Sequence, residues 1–496
     1  MKVNRIQILT LAMLAAGAVC CSGSTETPAP APPVPDAESD VECYVTTASG
    51  SMLFERVPVE FSKVSMSPNK VELQPGTVFQ TVDGFGPAMT GATCYNLLQM
   101  TQEDRTALLR KCFDPEEGAG FSFIRVHIGG SDFSMDEYTY CDTKGIEFFE
   151  TPALERDGIF PVIREILAIN PDVKIMGSPW TCPLWMKGTV DDPTVPYTTS
   201  WTSGRLNPDY YADYAEYFVK WVQTWEAEGF PVYAITMQNE PLNHGNSMSL
   251  YMPWEDQLAF VKVLGPAFEK AGIETKILTY DHNYNYDNDN ASGQDGYPLH
   301  IFADAEASQW VDGSAWHNYG GDVSELDRIL AEAPDKSIYF TEASIGEWNY
   351  TFDGCLMNDF ESIFLGTLSR MGRGVLLWNL MLDDEGKPYR PGGCSTCFGA
   401  IEISSSDYKT LKYNSHWYDL AHCSKVVRAG AQRIGTTGYT AENLTYMAFR
   451  NTDGSYAMIA LNRNSEPKTI AVQGPDKAFR YDVPAQSIAS FRWSDK

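Results

Sequence analysis

The sequence predicts an α/β fold in which a (β/α)8 barrel of the TIM type carries an attached β-sandwich. Two observations lead to this prediction. Eight short apolar segments rich in strand-forming residues recur along the chain, and segments with a helical period separate them. The end of the chain has instead several short strand patterns separated by turn residues. We therefore predict N-terminal strands that join the sandwich at 41–80, the barrel at 81–424 and the C-terminal sandwich at 425–496.

The predicted barrel strands each end in polar or aromatic residues. They lie at 82–90, 123–129, 174–180, 233–240, 276–283, 314–320, 337–344 and 374–380. Two of the intervening segments, 209–227 and 254–271, have clear helical patterns. Asn207 before Pro208 is typical of a helix start, and Gly272 is typical of a helix end. In such a barrel the functional side chains lie at the C-terminal ends of the strands.

The predicted sandwich has short strands with turns between them. The strand patterns lie at 444–450, 456–463, 468–472 and 487–493, and Asp-Gly, Asn or Pro turns separate them. The segment 44–80 also lacks long helical periods. We therefore expect both ends of the chain to build one β-sandwich beside the barrel.

The N-terminus has the pattern of an export signal. Lys2 and Arg5 precede an apolar run that is too short for a comfortable membrane span, so residues 1–21 are predicted to be a signal peptide. Cys20 and Cys21 at its end resemble a bacterial lipoprotein signal, and ordinary cleavage is the alternative. Residues 22–40 are rich in Pro, Ser and acidic residues and predict a flexible tether. We expect a bacterial cell-surface or periplasmic lipoprotein, or otherwise a secreted protein, that touches the membrane only through its lipid anchor.

The composition excludes some partners. Asp and Glu number 65 against 37 Lys and Arg, which gives a formal net charge of −28. Such a chain repels phosphate backbones, so nucleic acid is not expected as a partner. Aromatic residues make up 12% of the chain, which suits surfaces that stack against sugars.

The cysteines leave two interpretations open at one place. The pair Cys394 and Cys397 forms a C-x-x-C pattern that fits either a local disulfide or half of a zinc site. The chain has no second C-x-x-C to complete a zinc site. We therefore predict no metal site.

Two carboxylates end the fourth and seventh predicted strands. Glu240 follows the apolar run of TMQNEP, and Glu342 follows that of YFTEAS. An unpaired carboxylate is costly to bury at such positions. Glycoside hydrolysis needs two carboxyl groups that flank one sugar bond, one protonated to assist the leaving oxygen and one ionised to attack the anomeric carbon. The pair therefore predicts a glycosidase that needs no cofactor.

Several motifs resemble one known family. QTVDGFGPAMTGA, FIRVHIGGSDFS, SPWTCPLWMK, TMQNEP, YFTEAS and LLWNLMLD are similar in order and spacing to glycoside hydrolase family 30, over residues 70–496. That family includes glucosylceramidases and endo-β-1,6-glucanases. The resemblance implies a retaining enzyme with Glu240 as the acid/base and Glu342 as the nucleophile. It also implies that Arg125 supports the nucleophile.

The resemblance extends to residues expected to bind the sugar. It implies that Asp132 accepts from a sugar hydroxyl, that Trp180 walls a subsite and that Trp378 lies beneath the reactive sugar. Asn239, beside the acid, is expected to donate to the sugar 2-hydroxyl. Glucosylceramidases usually have His-Trp-Tyr on the sixth strand, and this chain departs from that pattern with Asn318 in the middle. The resemblance implies that His317 and Tyr319 are further substrate contacts. His282 is either a supporting residue or a substrate-facing one.

These residues predict a retaining β-glycosidase acting on a neutral β-linked glucan or glucoside. An endo-β-1,6-glucanase is the first prediction. A glucosylceramidase or β-glucosidase is the alternative, and a non-catalytic glycan-binding lipoprotein is a more remote one. For the retaining mechanism we expect the two carboxyl groups about 5–5.5 Å apart. We also expect Glu240 to have a raised pKa beside an ionised Glu342.

Overall fold

The structure, a computed structural model, describes residues 39–287 and 293–494. The predicted signal peptide at 1–21 and all but the last two residues of the tether at 22–40 lie outside the described residues. Within the described ranges, no helix has the length and apolar character needed to cross a bilayer.

The described chain contains strands and helices in alternation through its middle and strands at its two ends. The strands are β1 Val41–Thr47, β2 Glu55–Val59, β3 Lys70–Thr81, β4 Gly84–Pro87, β5 Phe123–His127, β6 Lys174–Ser178, β7 Lys187–Gly188, β8 Arg205–Leu206, β9 Val232–Thr236, β10 Lys276–Asn283, β11 Gly313–His317, β12 Ser337–Glu342, β13 Ile345–Gly346, β14 Gly372–Leu377, β15 Met381–Asp383, β16 Cys397–Phe398, β17 Ile401–Ile403, β18 Leu411–Tyr413, β19 Gln432–Gly438, β20 Leu444–Arg450, β21 Tyr456–Asn462, β22 Lys468–Gln473, β23 Ala478–Val483 and β24 Ser487–Trp493. The helices are α1 Gly91–Gln99, α2 Gln102–Phe113, α3 Phe160–Ile169, α4 Tyr211–Ala227, α5 Trp254–Ala271, α6 Tyr297–Ala303, α7 Ala305–Ser308, α8 Glu325–Glu332, α9 Phe352–Asp359, α10 Gly366–Ser369 and α11 Ser415–Val426.

The barrel is built from the eight predicted strands. Its parallel strands pair in the order β4-β14-β12-β11-β10-β9-β6-β5. A parallel bridge between Ala88 and Arg125 joins the first strand of this order to the last and closes the ring. The predicted barrel with its attached sandwich is confirmed.

The barrel interior is filled by side chains because alternate residues of each strand point inward. One buried cluster takes a single residue from each of seven strands: Phe123, Met176, Ala234, Leu278, Ala315, Tyr339 and Leu376. The outer faces of the strands pack with the surrounding helices into a much larger apolar core. The barrel interior is therefore a packed core, and in such barrels ligands bind at the C-terminal ends of the strands.

Helix boundaries follow the local signals in the sequence. The side chain of Asn207 accepts a hydrogen bond from the Asp209 amide, and a 3-10 turn at Pro208–Tyr210 leads into α4. Helix α5 ends at Gly272, whose φ of 70° is in the left-handed region that glycine adopts without steric cost.

The sandwich combines strands from both ends of the chain. Its nine strands pair in the order β2-β1-β24-β21-β20-β19-β3-β22-β23. A bridge between Phe61 and Phe479 connects the two edges, so the sheet folds back on a core of its own. Two of these strands, β19 and β23, were not among the predicted ones, because Arg and Asp or Gly interrupt their apolar alternation.

The ambiguous cysteine pair is a disulfide between Cys394 and Cys397. Their sulfur atoms are bonded to each other, so the zinc interpretation does not apply to this pair. Seven further cysteines of the described chain carry free thiols, and all but Cys355 are buried.

Candidate active site

A cavity of about 470 Å³ opens at the C-terminal end of the barrel strands. This size lies within the range of small-molecule sites. Its lining residues are Asp132, Glu240, Asn243, Asn246, Asn283, Asp287, Tyr319, Glu342, Ser344, Trp348, Trp378, Cys394 and Cys397. Both predicted catalytic carboxylates therefore face the same cavity.

The two glutamates are close enough to act on one bond. Glu342 is the last residue of β12, and Glu240 follows the end of β9. One carboxylate oxygen of each lies within 4.8 Å of the other. Retaining glycosidases have carboxyl groups about 5–5.5 Å apart, whereas inverting enzymes need a wider gap for a water molecule. The spacing therefore favours direct attack by a carboxylate.

The backbone holds Glu240 in an uncommon conformation. Its φ of 45° is in the left-handed region, which a residue with a side chain seldom adopts. The Glu240 amide donates to the carbonyl of Asp281, and the Asn239 amide donates to that of Pro179. Neighbouring strands on both sides thus hold this turn and aim the Glu240 carboxylate into the cavity.

A buried aspartate in β10 links the strands beneath the cavity. Asp281 is wholly inaccessible to solvent. Its carboxylate accepts hydrogen bonds from five side chains: Arg125 at 2.8 Å, Ser178 at 3.1 Å, Thr236 at 2.7 Å, Thr341 at 2.7 Å and His317 at 3.0 Å. Burial raises the pKa of Asp281, but the charge of Arg125 and the contact with His317 outweigh burial and lower it far below its usual range. Asp281 is therefore a permanent anion.

Arg125 connects this anion to the nucleophile. Its guanidinium donates to Asp281 at 2.8 Å, to Glu342 Oε2 at 2.5 Å and to Asn239 Oδ1 at 2.7 Å. The other oxygen of Glu342 accepts from the Tyr319 hydroxyl at 3.0 Å. Burial raises the pKa of Glu342 above its usual range, and the positive charges of His317 and Arg125 offset only part of that rise. The placement of Arg125 agrees with support of the nucleophile.

Glu240 has a different set of partners. Its Oε1 lies 3.3 Å from Nδ1 of His317, and its Oε2 accepts from Asn243 at 2.8 Å. Nε2 of His282 lies 3.9 Å from the same Oε1. Burial alone raises the pKa of Glu240, but the contact with His317 and the charges of both imidazoles lower it to about 2.

The expected raised pKa of Glu240 is therefore wrong for the free protein. Sequence reasoning placed His317 against the sugar and did not place a base beside the acid. Burial lowers the pKa of His317, but the charge of Glu342 and the hydrogen bonds to Asp281 and Glu240 raise it to about 9. His317 thus contacts Glu240 and Asp281 directly, and it is not among the residues that line the cavity.

Three of the predicted sugar-binding residues line the cavity, namely Asp132, Tyr319 and Trp378. Asp132 lines the cavity, and burial together with the charges of Glu342 and Glu240 raises its pKa well above the usual range. Trp378 directly follows strand β14 and also lines the cavity. Phe133 packs edge-on against the Trp378 ring at 6.0 Å. This arrangement gives the cavity an aromatic surface next to a hydrogen-bonding carboxyl group.

Trp180 stacks on Trp378 with the ring centroids 5.1 Å apart, and both residues are nearly buried. Trp180 is not among the residues that line the cavity, so its role as a subsite wall stays a prediction. The Oδ1 of Asn239 accepts from Arg125 at 2.7 Å, so the predicted donation to the sugar 2-hydroxyl falls to its amide nitrogen. His282 is fully buried behind Glu240, 3.4 Å from Asp287, which agrees with the supporting alternative.

The cluster of Glu240, His317 and Glu342 also consists of residue types that bind metals. All four carboxylate oxygens, however, already have protein partners: Tyr319, Arg125, His317 and Asn243. The guanidinium on Glu342 opposes a second cation at this point. The arrangement fits proton transfer and nucleophilic attack.

Comparison with known proteins identifies the family. Residues 82–427 match the "Glycosyl hydrolase family 30 TIM-barrel domain", and residues 430–491 match the "Glycosyl hydrolase family 30 beta sandwich domain". The chain belongs to glycosyl hydrolase family 30.

Relatives of this family 30 protein include enzymes of two named activities. The chain is 30% identical to endo-1,6-beta-D-glucanase neg1 of Aspergillus fumigatus over 439 residues, covering 83% of this chain and 85% of the relative. It is 28% identical to the lysosomal acid glucosylceramidase of Mus musculus over 452 residues, covering 85% and 82%. The solved structure of "The endo-beta1,6-glucanase BT3312" has a TM-score of 0.89 and 52% identity, covering 92% of this chain and 100% of that one.

Sequence reasoning missed three features of the family 30 site. Asp281 stands next to His282 in the YDHN segment, and its position inside a buried strand was an available signal, since a carboxylate there needs partners. Asn243, which holds Glu240, lies in a loop without a periodic pattern. The disulfide of Cys394 and Cys397 lies on the cavity rim, which no spacing rule indicates.

The Asp281 network leads to a stability prediction. Asp281→Asn keeps the side-chain volume but leaves Arg125 with one anion fewer in a buried site. We expect the free energy of unfolding to fall by about 3–5 kcal/mol, the usual cost of breaking a buried ion pair. Denaturant unfolding followed by tryptophan fluorescence measures this loss.

The matched control is Asp295→Asn. Asp295 also pairs with an arginine, Arg328, but it is half-exposed, so the change should cost less than about 1 kcal/mol. Equal losses in both variants would contradict the central role of Asp281.

Proposed function

We propose that this family 30 protein is an endo-β-1,6-glucanase that hydrolyses its substrate with retention of configuration. The observation that carries the proposal is the pair of carboxylates, Glu240 and Glu342, within 4.8 Å of each other in a cavity that Trp378 also lines. The 52% identity to a solved endo-β-1,6-glucanase over 92% of this chain supports the choice of linkage.

In the first half of the proposed reaction, Glu342 attacks the anomeric carbon. Arg125 and Tyr319 hold its two oxygens, which fixes the direction of the attack. Glu240 gives a proton to the departing glycosidic oxygen. The product of this half is a glycosyl ester on Glu342, and the leaving glucan carries the new hydroxyl.

In the second half, water replaces the leaving group on the same face of the sugar. The Glu240 carboxylate takes a proton from this water, whose oxygen attacks the anomeric carbon. Glu342 departs with its electron pair and accepts again from Arg125. Two displacements at one carbon restore the starting configuration.

The charge of the cavity supports a neutral glycan. Glu240, Asp287 and Glu342 line it, and the whole chain has a net charge of −28. A sugar acid would meet repulsion here. Trp348, which is 51% exposed, offers an aromatic face at the cavity rim for a further sugar unit of an extended chain.

The substrate is tested with three classes of glycoside. We expect hydrolysis of β-1,6-linked glucose oligosaccharides and of the β-1,6-glucan polymer, with oligosaccharides of several lengths formed early. A short-chain glucosylceramide analogue should react more slowly by at least about 100-fold, since the leaving group has no second sugar to bind. Chromatography of the products measures both rates.

The outcomes of this experiment separate the alternatives. Glucose as the sole early product from the polymer would contradict endo action. Preferred hydrolysis of the lipid analogue would make the protein a glucosylceramidase. Binding of the glucan without any turnover would make it the glycan-binding protein considered from the sequence.

The roles of the two glutamates are tested with azide. Glu342→Ala should lower turnover of an aryl β-glycoside, and azide in the vacated space should give a glycosyl azide of inverted configuration. For Glu240→Ala, azide should give a product of retained configuration, because Glu342 still forms the ester. Proton NMR of the anomeric centre distinguishes the two, and exchanged products would reverse the assignment.

We also propose that the protein is exported as a bacterial lipoprotein. The support is the sequence alone: Lys2 and Arg5, the apolar run after them and the cysteines at positions 20 and 21. The tether at 22–40 would then join the folded protein to the anchor.

The anchor predicts a specific mature N-terminus. When the full chain is expressed in a bacterium, we expect the protein in the membrane fraction with an acylated Cys20 or Cys21 as its first residue. Mass spectrometry of the N-terminal peptide identifies the modified position, and substitution of that cysteine by Ser should move the protein to the soluble fraction. An unmodified N-terminus beyond Cys21 would contradict the anchor.

A further inference from the structure

We propose that His317 holds the catalytic proton in the free enzyme and passes it to Glu240 when a glycan fills the cavity. This inference rests on the proposed glycosidase function. His317 acts through Glu240 and is therefore a positioning residue for the proton. It does not itself touch the reacting carbon.

The geometry around the imidazole is the basis of the proposal. Nε2 lies 3.0 Å from Asp281 Oδ1, and Nδ1 lies 3.3 Å from Glu240 Oε1. Asp281 is a permanent anion held by Arg125, so Nε2 carries a hydrogen in every state. Nδ1 of His317 and Oε1 of Glu240 then share one proton, which is bonded to one of these two atoms.

The groups that face His317 decide on which atom the proton rests. They are Asp281 and His282 from β10, Glu342 from β12, Glu240 after β9 and Tyr319 after β11. Three of them are carboxylates close to the ring. Their attraction raises the pKa of His317 to about 9, and the imidazole lowers that of Glu240 to about 2. In the free enzyme the proton therefore rests on His317.

A bound glycan changes this balance. Glu240 is slightly accessible to solvent through the cavity, and a sugar there removes the remaining water. Transfer of the proton from Nδ1 to Oε1 turns two opposite charges into two neutral groups, which a dry site favours. The proton thus reaches Glu240 when a leaving group is present to accept it.

The transfer balances through both halves of the reaction. The Nδ1–H bond breaks and an Oε1–H bond forms; Glu240 then gives this proton to the glycosidic oxygen, which keeps the electron pair of its broken bond to carbon. A lone pair of Glu342 forms the new bond to that carbon. In the second half the Glu240 carboxylate takes a proton from water and returns it to Nδ1.

The net charge of the cluster stays constant in this scheme. Before reaction, Arg125 and His317 are positive, and Asp281, Glu240 and Glu342 are negative. After the first half, Glu342 is a neutral ester and His317 is a neutral ring. One negative and one positive charge disappear together, so the buried site does not accumulate uncompensated charge.

The first test needs no substrate. The seven histidines of the chain are labelled with ¹⁵N, and the ring nitrogens are observed at pH 8, where an ordinary histidine is neutral. We expect one doubly protonated ring whose signal is absent from His317→Gln. A neutral His317 at pH 8 would overturn the proposal, whatever the substrate of the enzyme is.

The second test is the pH profile of kcat/KM, which reports the essential acid of the free enzyme. For the wild type, the basic limb should lie near the pKa of His317, about 9. In His317→Gln the proton must rest on Glu240 itself, so the basic limb should move at least about two pH units to lower pH. If His317 had only a structural role, His317→Gln would lower kcat/KM at every pH without moving the basic limb.

The leaving group gives a third readout on the same variant. At pH 8 the loss on a β-1,6-linked oligosaccharide should be at least about tenfold, since each pH unit above the pKa removes nine-tenths of the acid. A nitrophenyl glycoside, whose leaving group needs no proton, should lose less than about threefold. Equal losses on both substrates would contradict a proton-holding role.

The matched control is His416→Gln. His416 is also a buried histidine beside a carboxylate, 3.2 Å from Asp359, but it lies in α11 and does not contact Glu240. In His416→Gln the basic limb of the kcat/KM profile should lie at the same pH as in the wild type. If the protein hydrolysed none of the glycosides, the NMR result would still decide where the proton rests, so the two proposals fail separately.

Discussion

The buried pair of Arg125 and Asp281 is the interaction on which the rest of the site depends. Arg125 enters from the second barrel strand and Asp281 from the fifth, and both are excluded from solvent. Two buried charges are stable only with full hydrogen bonding. The partners that supply it come from four further strands, so satisfying one ion pair fixes the register of most of the barrel mouth. Both catalytic glutamates contact members of this network, Glu342 through Arg125 and Glu240 through His317.

The same network makes the two glutamates unequal. Glu342 shares the guanidinium with Asp281, while Glu240 contacts an imidazole whose other nitrogen is bonded to Asp281. Glu342 and Glu240 therefore differ in their neighbours, and Asp281 holds both sets of neighbours in place. Unequal surroundings are the general way in which two like carboxyl groups take different roles.

The sequence predicted the barrel and its catalytic pair because both leave local signals. Strand periods, helix caps and an isolated carboxylate after an apolar run can each be read within a few residues. Contacts between distant strands leave no such signal. Asp281 was missed because only the folded barrel shows that it links the strands. The pKa of Glu240 was predicted in the wrong direction for the same reason.

The rim of the cavity is built on a different principle from its floor. The floor is a charged network inside a rigid barrel, whereas the rim consists of loops fastened at a few points. The amide of Arg390 donates to the carbonyl of Asp132 at 2.6 Å, and Cys397 pairs with Gly346, shortly after the nucleophile strand. The disulfide to Cys394 closes this segment between the two contacts. Chemistry that needs sub-ångström positioning thus rests on the strands, while the loops, which tolerate more change, are left to determine which glycans can enter.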